Sequence, residues 1–266
     1  MNRTRTVPWA GWVYGTPEEN DPAELYHEAS RLSPFAVDHR ARGLGLLARS
    51  PELVTSTTRA VLRSLARPSV PLPSAPLPDV SLADAVMGRR SARAFGPGPV
   101  ALRELAALLD AAYGVTAGGP DGASFRAVPS GGALYPLELY VLARRVDDLA
   151  AGVHHVDPLR RALEAMPSAE PDGPLSPYDE LLDAAALLVA VTGVFGRSRF
   201  KYGLRGYRFT LLEAGHVGQN LLLAAAALDL AALPVGGFYD RRVERLLGVD
   251  GVNESALYLF AVGRPT

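Results

Sequence analysis

Cysteine is absent from all 266 residues. That excludes disulfides, thiolate metal sites and cysteine nucleophiles together. An excess of either charge sign is also missing, since 27 Lys and Arg against 28 Asp and Glu leave a net charge of −1. A nucleic-acid or anionic-membrane binder would carry a global basic footprint, so neither partner is expected. Long apolar runs are lacking too. The most apolar stretch, Leu221 to Val235, is interrupted by Asp229 and falls short of the ~20 residues that cross a bilayer. Met1 to Pro8 is basic without the apolar stretch of a signal peptide, which makes a cytoplasmic protein the expectation. Repeats, low-complexity tracts beyond one proline run and a G-x-G-x-x-G fingerprint are not found. What is present is ordinary globular composition, 48% apolar and 21% charged, enough for one large domain or somewhat more.

Five prolines fall between Pro68 and Pro78. Such density excludes a helix interior or a central strand and predicts an extended connector. The chain therefore divides into an N-terminal helical arm over 1–67, a proline-rich linker over 68–79 and a main body over 80–266. In the arm, Asp21-Pro22 predicts a helix start, with Leu25, Ala29 and Leu32 on one face, and Pro51 to Ala66 predicts a second helix. In the body, Ser81 and Asp84 predict a capped short helix. Leu102 to Tyr113 is amphipathic and stops at Gly114. Leu137 to Ala143, Leu187 to Thr192 and Ala256 to Val262 read as strands. Leu181 to Ala185 reads as helical, and Asp240 is the expected cap of a helix through Leu247. Tyr207 to Ala232 reads as one long helix too apolar for a surface. Strands separated by helices, one of them in the core, predict an α/β or α+β body.

Five constellations could carry chemistry. Arg89, Arg90, Ser91 and Arg93 place three guanidiniums and a hydroxyl together, a donor set suited to phosphate or to a solvated turn. Pro129-Ser130-Gly131-Gly132-Ala133-Leu134-Tyr135-Pro136 puts paired glycines before a strand, where a backbone can approach a flat ligand. Arg197 to Arg208 holds five cations, including Lys201 beside Tyr202, a pair able to move a proton. Glu213, His216 and Asn220 lie at helical spacing among apolar neighbours. They suit either a structural network or a cofactor-facing stripe, because buried polar groups need partners. A carboxylate metal site would need a second Glu-x-x-His pair, which is absent, so no metal is expected. Pro234-Val235-Gly236-Gly237-Phe238 forms a glycine turn whose N–H groups could meet a ring edge.

In this order the segments RRSARAF, PSGGALYPLELYVLA, KYGLRGYRFTLLEAGHVGQNLLLAA, PVGGFYD and LYLFAVGRP resemble the FMN-dependent nitroreductase superfamily. More closely, they resemble its SagB-type branch of thiazoline/oxazoline dehydrogenases. The likeness covers Ser81 to Pro265, with the KYG segment the most specific part. Val153-His154-His155-Val156-Asp157-Pro158 matches more loosely, with valines where the branch has tyrosines. The resemblance implies an α+β nitroreductase-like flavin fold with a central mixed or antiparallel sheet and a buried central helix. It implies a homodimer with FMN at the subunit interface. Arg89, Arg90, Ser91 and Arg93 would hold the FMN phosphate and ribityl region, with Arg264 as a second phosphate cation. Ser130, Gly131, Gly132 and Leu134 would line the ring, and Val235, Gly236 and Gly237 would lie near its reactive edge. Lys201 and Tyr202 would be the catalytic pair. The implied substrate is an azoline-containing peptide and the implied partner a cyclodehydratase. A general NAD(P)H-dependent nitroreductase, another peptide-directed flavin dehydrogenase and a non-catalytic flavoprotein scaffold are the alternatives.

Overall fold

The computed structural model describes residues 21–32, 43–47, 49–50, 52, 67–119, 124–167 and 173–266. The chain forms two compact units, Met1–Asp38 and His39–Thr266. The first contains helix α1, Pro22–Ala29, capped by Asp21, whose carboxylate accepts from Ala23 N at 2.8 Å. Pro22 sits in the first turn, where its missing N–H costs nothing. The expected apolar face does not pack, since α1 buries no residue. The helix expected over Pro51 to Ala66 lies almost wholly outside the described residues.

The second unit carries helices α2 Gly43–Leu47, α3 Leu82–Gly88, α4 Leu102–Tyr113, α5 Asp179–Ala184, α6 Phe195–Tyr202, α7 Leu204–Ala227 and α8 Asp240–Leu247. Its strands are β1 Ser69–Pro71, β2 Val115–Gly118, β3 Ser124–Arg126, β4 Leu137–Ala143, β5 Gly152–Asp157, β6 Ala162–Ala165, β7 Leu187–Val194, β8 Ala231–Val235 and β9 Glu254–Gly263. Seven strands form one sheet in the order β1-β6-β5-β4-β7-β9-β8, and β2 pairs with β3 as a separate hairpin. Every ladder in the large sheet is antiparallel.

Side-chain alternation sends β4 residues to two cores. Leu137, Leu139 and Val141 join α4 and α7 on one face, while Tyr140 joins α5 and α8 on the other. The central β7 is therefore covered on both sides, which is why it reads as an unbroken apolar run. Leu221 of α7 is 0% exposed, and its truncation to Ala would cost about 2–5 kcal/mol.

Three expectations change. The proline run opens as an edge strand: Ser69–Pro71 pairs with β6, a position where proline is tolerated because the outer N–H has no ladder partner to lose. The long helix begins at Leu204 and ends at Ala227, and Ala231 and Ala232 belong to β8. Asp229 breaks it with φ 53, a left-handed conformation that Asp tolerates better than most residues. The segment Val153 to Asp157, which the resemblance treats as a loop, lies in strand β5. No helix among the described residues is long and apolar enough to cross a membrane.

Candidate functional site

Lys201 and Tyr202 close α6, and Gly203, at φ 57, turns the chain into α7. Gly206 makes this turn tight, for a Cβ there would lie 2.6 Å from the carbonyl carbon of Ser198. The loop before β4 meets the pair directly. A Cβ on Gly132 would lie 2.5 Å from the Tyr202 hydroxyl and 2.6 Å from Lys201 Nζ, and Gly132 has φ +68. Both space and backbone thus demand glycine. Gly131 covers Phe209, whose ring takes the Tyr202 ring edge-on at 5.0 Å between centroids. No carboxylate pairs with Lys201 among the described residues. Ala133 and Tyr135 also have positive φ, 54 and 45. Left-handed non-glycine residues cost of order 1–3 kcal/mol each, and such strain clusters at functional sites.

Beneath the loop lies a buried polar chain. Ser130 Oγ accepts from Tyr135 N at 2.9 Å, and the Tyr135 hydroxyl accepts from Arg126 N at 3.0 Å. The Tyr113 hydroxyl donates to Glu213 Oε1 at 2.9 Å. Glu213 is 2% exposed. Burial raises its pKa to about 7, against the opposing effects of Ser130, Tyr113 and the Arg126 charge. Burial, with the neighbouring Glu213 charge, pushes the Tyr113 phenol well up. The Arg126 guanidinium lies 4.2 Å from the Tyr113 ring centroid and 4.8 Å from that of Tyr135. Asn220 Nδ2 donates to Ala111 O and Ala127 O, tying α7 to α4 and to the segment after β3. His216, expected on the same stripe, is exposed. Glu213 and His216 are about 60° apart around the helix axis, enough to bury the first and leave the second in solvent. Among the partners, Tyr113 and Arg126 escape sequence reasoning. The available signal is a lone tyrosine ending an otherwise apolar helix face.

The arginine cluster sits elsewhere. Arg89, Arg90 and Arg93 line a groove of about 610 Å³ with Leu222, Ala226 and Asp229. Ala92 N donates to Ala232 O at 2.9 Å, placing the cluster at the start of β8. Arg90 donates only to backbone carbonyls, Met87 O and Arg89 O. No carboxylate pairs with Arg89, Arg90 or Arg93 among the described residues. Gly236 and Gly237 are exposed at the far end of β8, roughly 14 Å away at the rise of a strand.

Helix α7 measures the distance between the two groups. Phe209 supports the glycine loop, while Leu222 and Ala226 line the arginine groove. At 1.5 Å per residue these positions are roughly 20–25 Å apart. Within one chain the loop with Lys201 and Tyr202 and the arginine groove are separate.

Three expected site residues have other partners. Arg264 is bidentate on Glu104, at 2.6 and 2.9 Å, and its Nε donates to Pro99 O. Its fork is therefore filled by a carboxylate instead of facing the groove. Leu134 and Val235 are 2% and 4% exposed, with side chains in the core.

Residues 86–264 match the model of the nitroreductase family. A Methanocaldococcus jannaschii protein named as a nitroreductase is 38% identical over 184 residues, 68% of this chain and 89% of its own. The microcin B17-processing protein McbC of Escherichia coli is 34% identical over 140 residues, 49% of this chain and 52% of its own, so the match spans about half of that relative. The E. coli microcin synthetase McbBCD complex with truncated pro-MccB17 bound contains a chain of the same fold. Its TM-score is 0.56 at 24% identity, covering 91% of this chain and 86% of that one. With its antiparallel sheet covered by helices on both faces, this chain belongs to the nitroreductase family.

Proposed function

We propose that this chain is an FMN-dependent dehydrogenase that oxidises thiazoline or oxazoline rings of a peptide to thiazole or oxazole, as a homodimer working beside a cyclodehydratase. The observation that carries the reading is the packing of Lys201 Nζ and the Tyr202 hydroxyl onto Gly132. A nitroreductase-family site needs no lysine and tyrosine there for hydride exchange with a nicotinamide, whereas removal of a ring proton does need a base. Similarity to McbC, a peptide-processing protein by name, supports a peptide substrate. The McbBCD complex supports a partner in a biosynthetic complex; that this partner is the cyclodehydratase, and that the setting is cytoplasmic, are part of the proposal.

The donor set fits FMN. Arg89, Arg90 and Arg93 line a groove without carboxylate partners among the described residues, which suits a phosphate. Ser91, half-buried between Arg90 and Ala92, does not itself line the groove. Ser130, Gly131 and Gly132 present a surface free of side-chain bulk to a flat ring, and Gly236 and Gly237 offer exposed backbone donors. Since the half-sites are roughly 20–25 Å apart along α7, the groove of one protomer is completed by the loop of its partner. When bound, FMN supplies the acceptor for two electrons and one hydrogen of the azoline. Lys201 accepts the proton from the ring carbon next to the carbonyl. Tyr202 donates a hydrogen bond to the carbonyl oxygen as charge builds there. Such proton transfer is worth ~10²–10⁴-fold. Loss of two hydrogens from an azoline peptide, followed by mass spectrometry with the purified protein and FMN, tests the reading. Turnover of a nitroarene with NADPH and no azoline oxidation would replace it with a general nitroreductase, the activity named for the M. jannaschii relative.

A further inference from the structure

Glu213 takes no part in the proposed chemistry, yet it is buried beneath the loop that does. Its Oε2 is buried without a hydrogen-bond partner. The Ser130 hydroxyl approaches the carboxyl and favours its ionised form, without an aligned bond in this arrangement. Arg126, 6% exposed, leaves Nε and Nη2 without acceptors. A buried cation, an unsatisfied carboxyl oxygen and a serine already tied to the loop backbone thus lie together, and each such group is costly unless paired.

We propose that Glu213 is a positioning residue: acting through Ser130, its carboxyl holds Gly131 and Gly132 against Lys201 and Tyr202 in one hydrogen-bond arrangement when protonated and in another when ionised. This rests on the reading that the loop and the Lys201-Tyr202 pair form the reactive face. The chemistry follows from one hydrogen. Ser130 Oγ accepts from Tyr135 N, so its single hydrogen is free to turn. Ionised Glu213 accepts that hydrogen and draws the loop inward. Protonated Glu213 is itself a donor, and the serine hydrogen turns outward to the ligand face. The groups acting on Glu213 are Tyr113 from α4, Arg126 from β3 and Ser130 from the loop, with Glu138 of β4 one step away beside Tyr113. Burial sets its protonation change at about pH 7.

Amide ¹⁵N shifts of Gly131, Gly132 and Tyr135, followed across pH 5 to 9 in the full chain without flavin, test this. In the wild type the three should move together with a midpoint near the pKa of about 7. Glu213→Gln should abolish the transition and hold the shifts near their low-pH values. Tyr113→Phe, which removes a donor to the carboxylate, should move the midpoint upward. Ser130→Ala should leave the Glu213 side-chain carbon titrating while the loop amides stop following it. Loop amides that do not titrate in the wild type, or that titrate unchanged in Glu213→Gln or Ser130→Ala, would overturn the proposal. If Glu213→Gln fails to fold, Tyr113→Phe and Ser130→Ala decide alone. Neither flavin nor azoline enters the titration, so an unsuccessful assay for azoline oxidation leaves its outcome standing, and the reverse.

Discussion

Gly132 packs directly against Lys201: a Cβ at position 132 would stand 2.6 Å from Lys201 Nζ. Gly132→Ala must therefore adopt a left-handed backbone and push the lysine and Tyr202 aside. The conformational cost is about 1–2 kcal/mol, small enough to leave the chain folded. Thermal unfolding should show a modest drop in Tm, while azoline oxidation falls at least ~10-fold as the catalytic pair is displaced. Unchanged turnover would detach the loop from the chemistry.

The two candidate phosphate cations differ. Arg89→Ala removes a guanidinium free of carboxylate partners, and FMN binding, followed by flavin fluorescence, should weaken by roughly 1.5–3 kcal/mol, the value of a charge-assisted contact. Arg264 is committed to Glu104. Arg264→Ala should lower stability by ~1 kcal/mol, as for a partly exposed pair, and change FMN affinity less than Arg89→Ala does. Equal losses of affinity would mean that Arg264 leaves Glu104 when flavin binds.

A site divided between copies makes a sharp expectation for mixtures. Arg89→Ala and Lys201→Ala spoil opposite half-sites. A heterodimer of the two variants contains one site with both defects and one with neither. Unfolding and refolding an equal mixture should restore roughly a quarter of wild-type activity, because half the dimers are mixed and each has one good site of two. No recovery would place both groups in the same site.

Stability should respond to pH through two groups of opposite slope. Glu213 has its folded pKa raised to about 7, above the unfolded value near 4.3. Its contribution is fully present below pH ~4.3 and is lost as pH rises to 7, about 3 kcal/mol in all. Glu138 behaves inversely. Burial pushes it up, but hydrogen bonds and charges from His155 and Arg197 hold it below the usual carboxylate range, so its contribution is lost on acidification. Urea unfolding at pH 5 and pH 8 should show Glu213→Gln losing less stability than the wild type on going to the higher pH. An identical difference would mean that Glu213 stays ionised throughout.

The elements legible in the sequence are those whose signals are local. Helix α4 has the expected limits because its apolar spacing and Gly114 sit side by side, and β4 because its short apolar run follows a loop bounded by glycine and proline. Strand β5 escaped because its buried His155 looks polar. Its partners, Glu138 at 2.9 Å and Glu164 at 3.5 Å, lie on neighbouring strands and appear only once the sheet forms. The end of α7 is hidden in an apolar run whose single interruption, Asp229, marks the stop through its left-handed backbone. At the site, Lys201, Tyr202 and Gly132 are named by their motifs, but their meeting is a tertiary fact. Arg264 is named as well, and Glu104 takes it because α4 starts beside the last strand.

The most direct measurement of whether Lys201 and Tyr202 perform proton transfer compares flavin content with azoline turnover in Lys201→Ala, Tyr202→Ala and the double variant. Near-normal FMN occupancy should accompany a loss of at least ~10²-fold in turnover in each single variant. The double variant should be little worse, since groups acting as a unit are not additive. Full turnover in both single variants, or flavin lost in proportion to activity, would contradict a catalytic Lys201-Tyr202 pair.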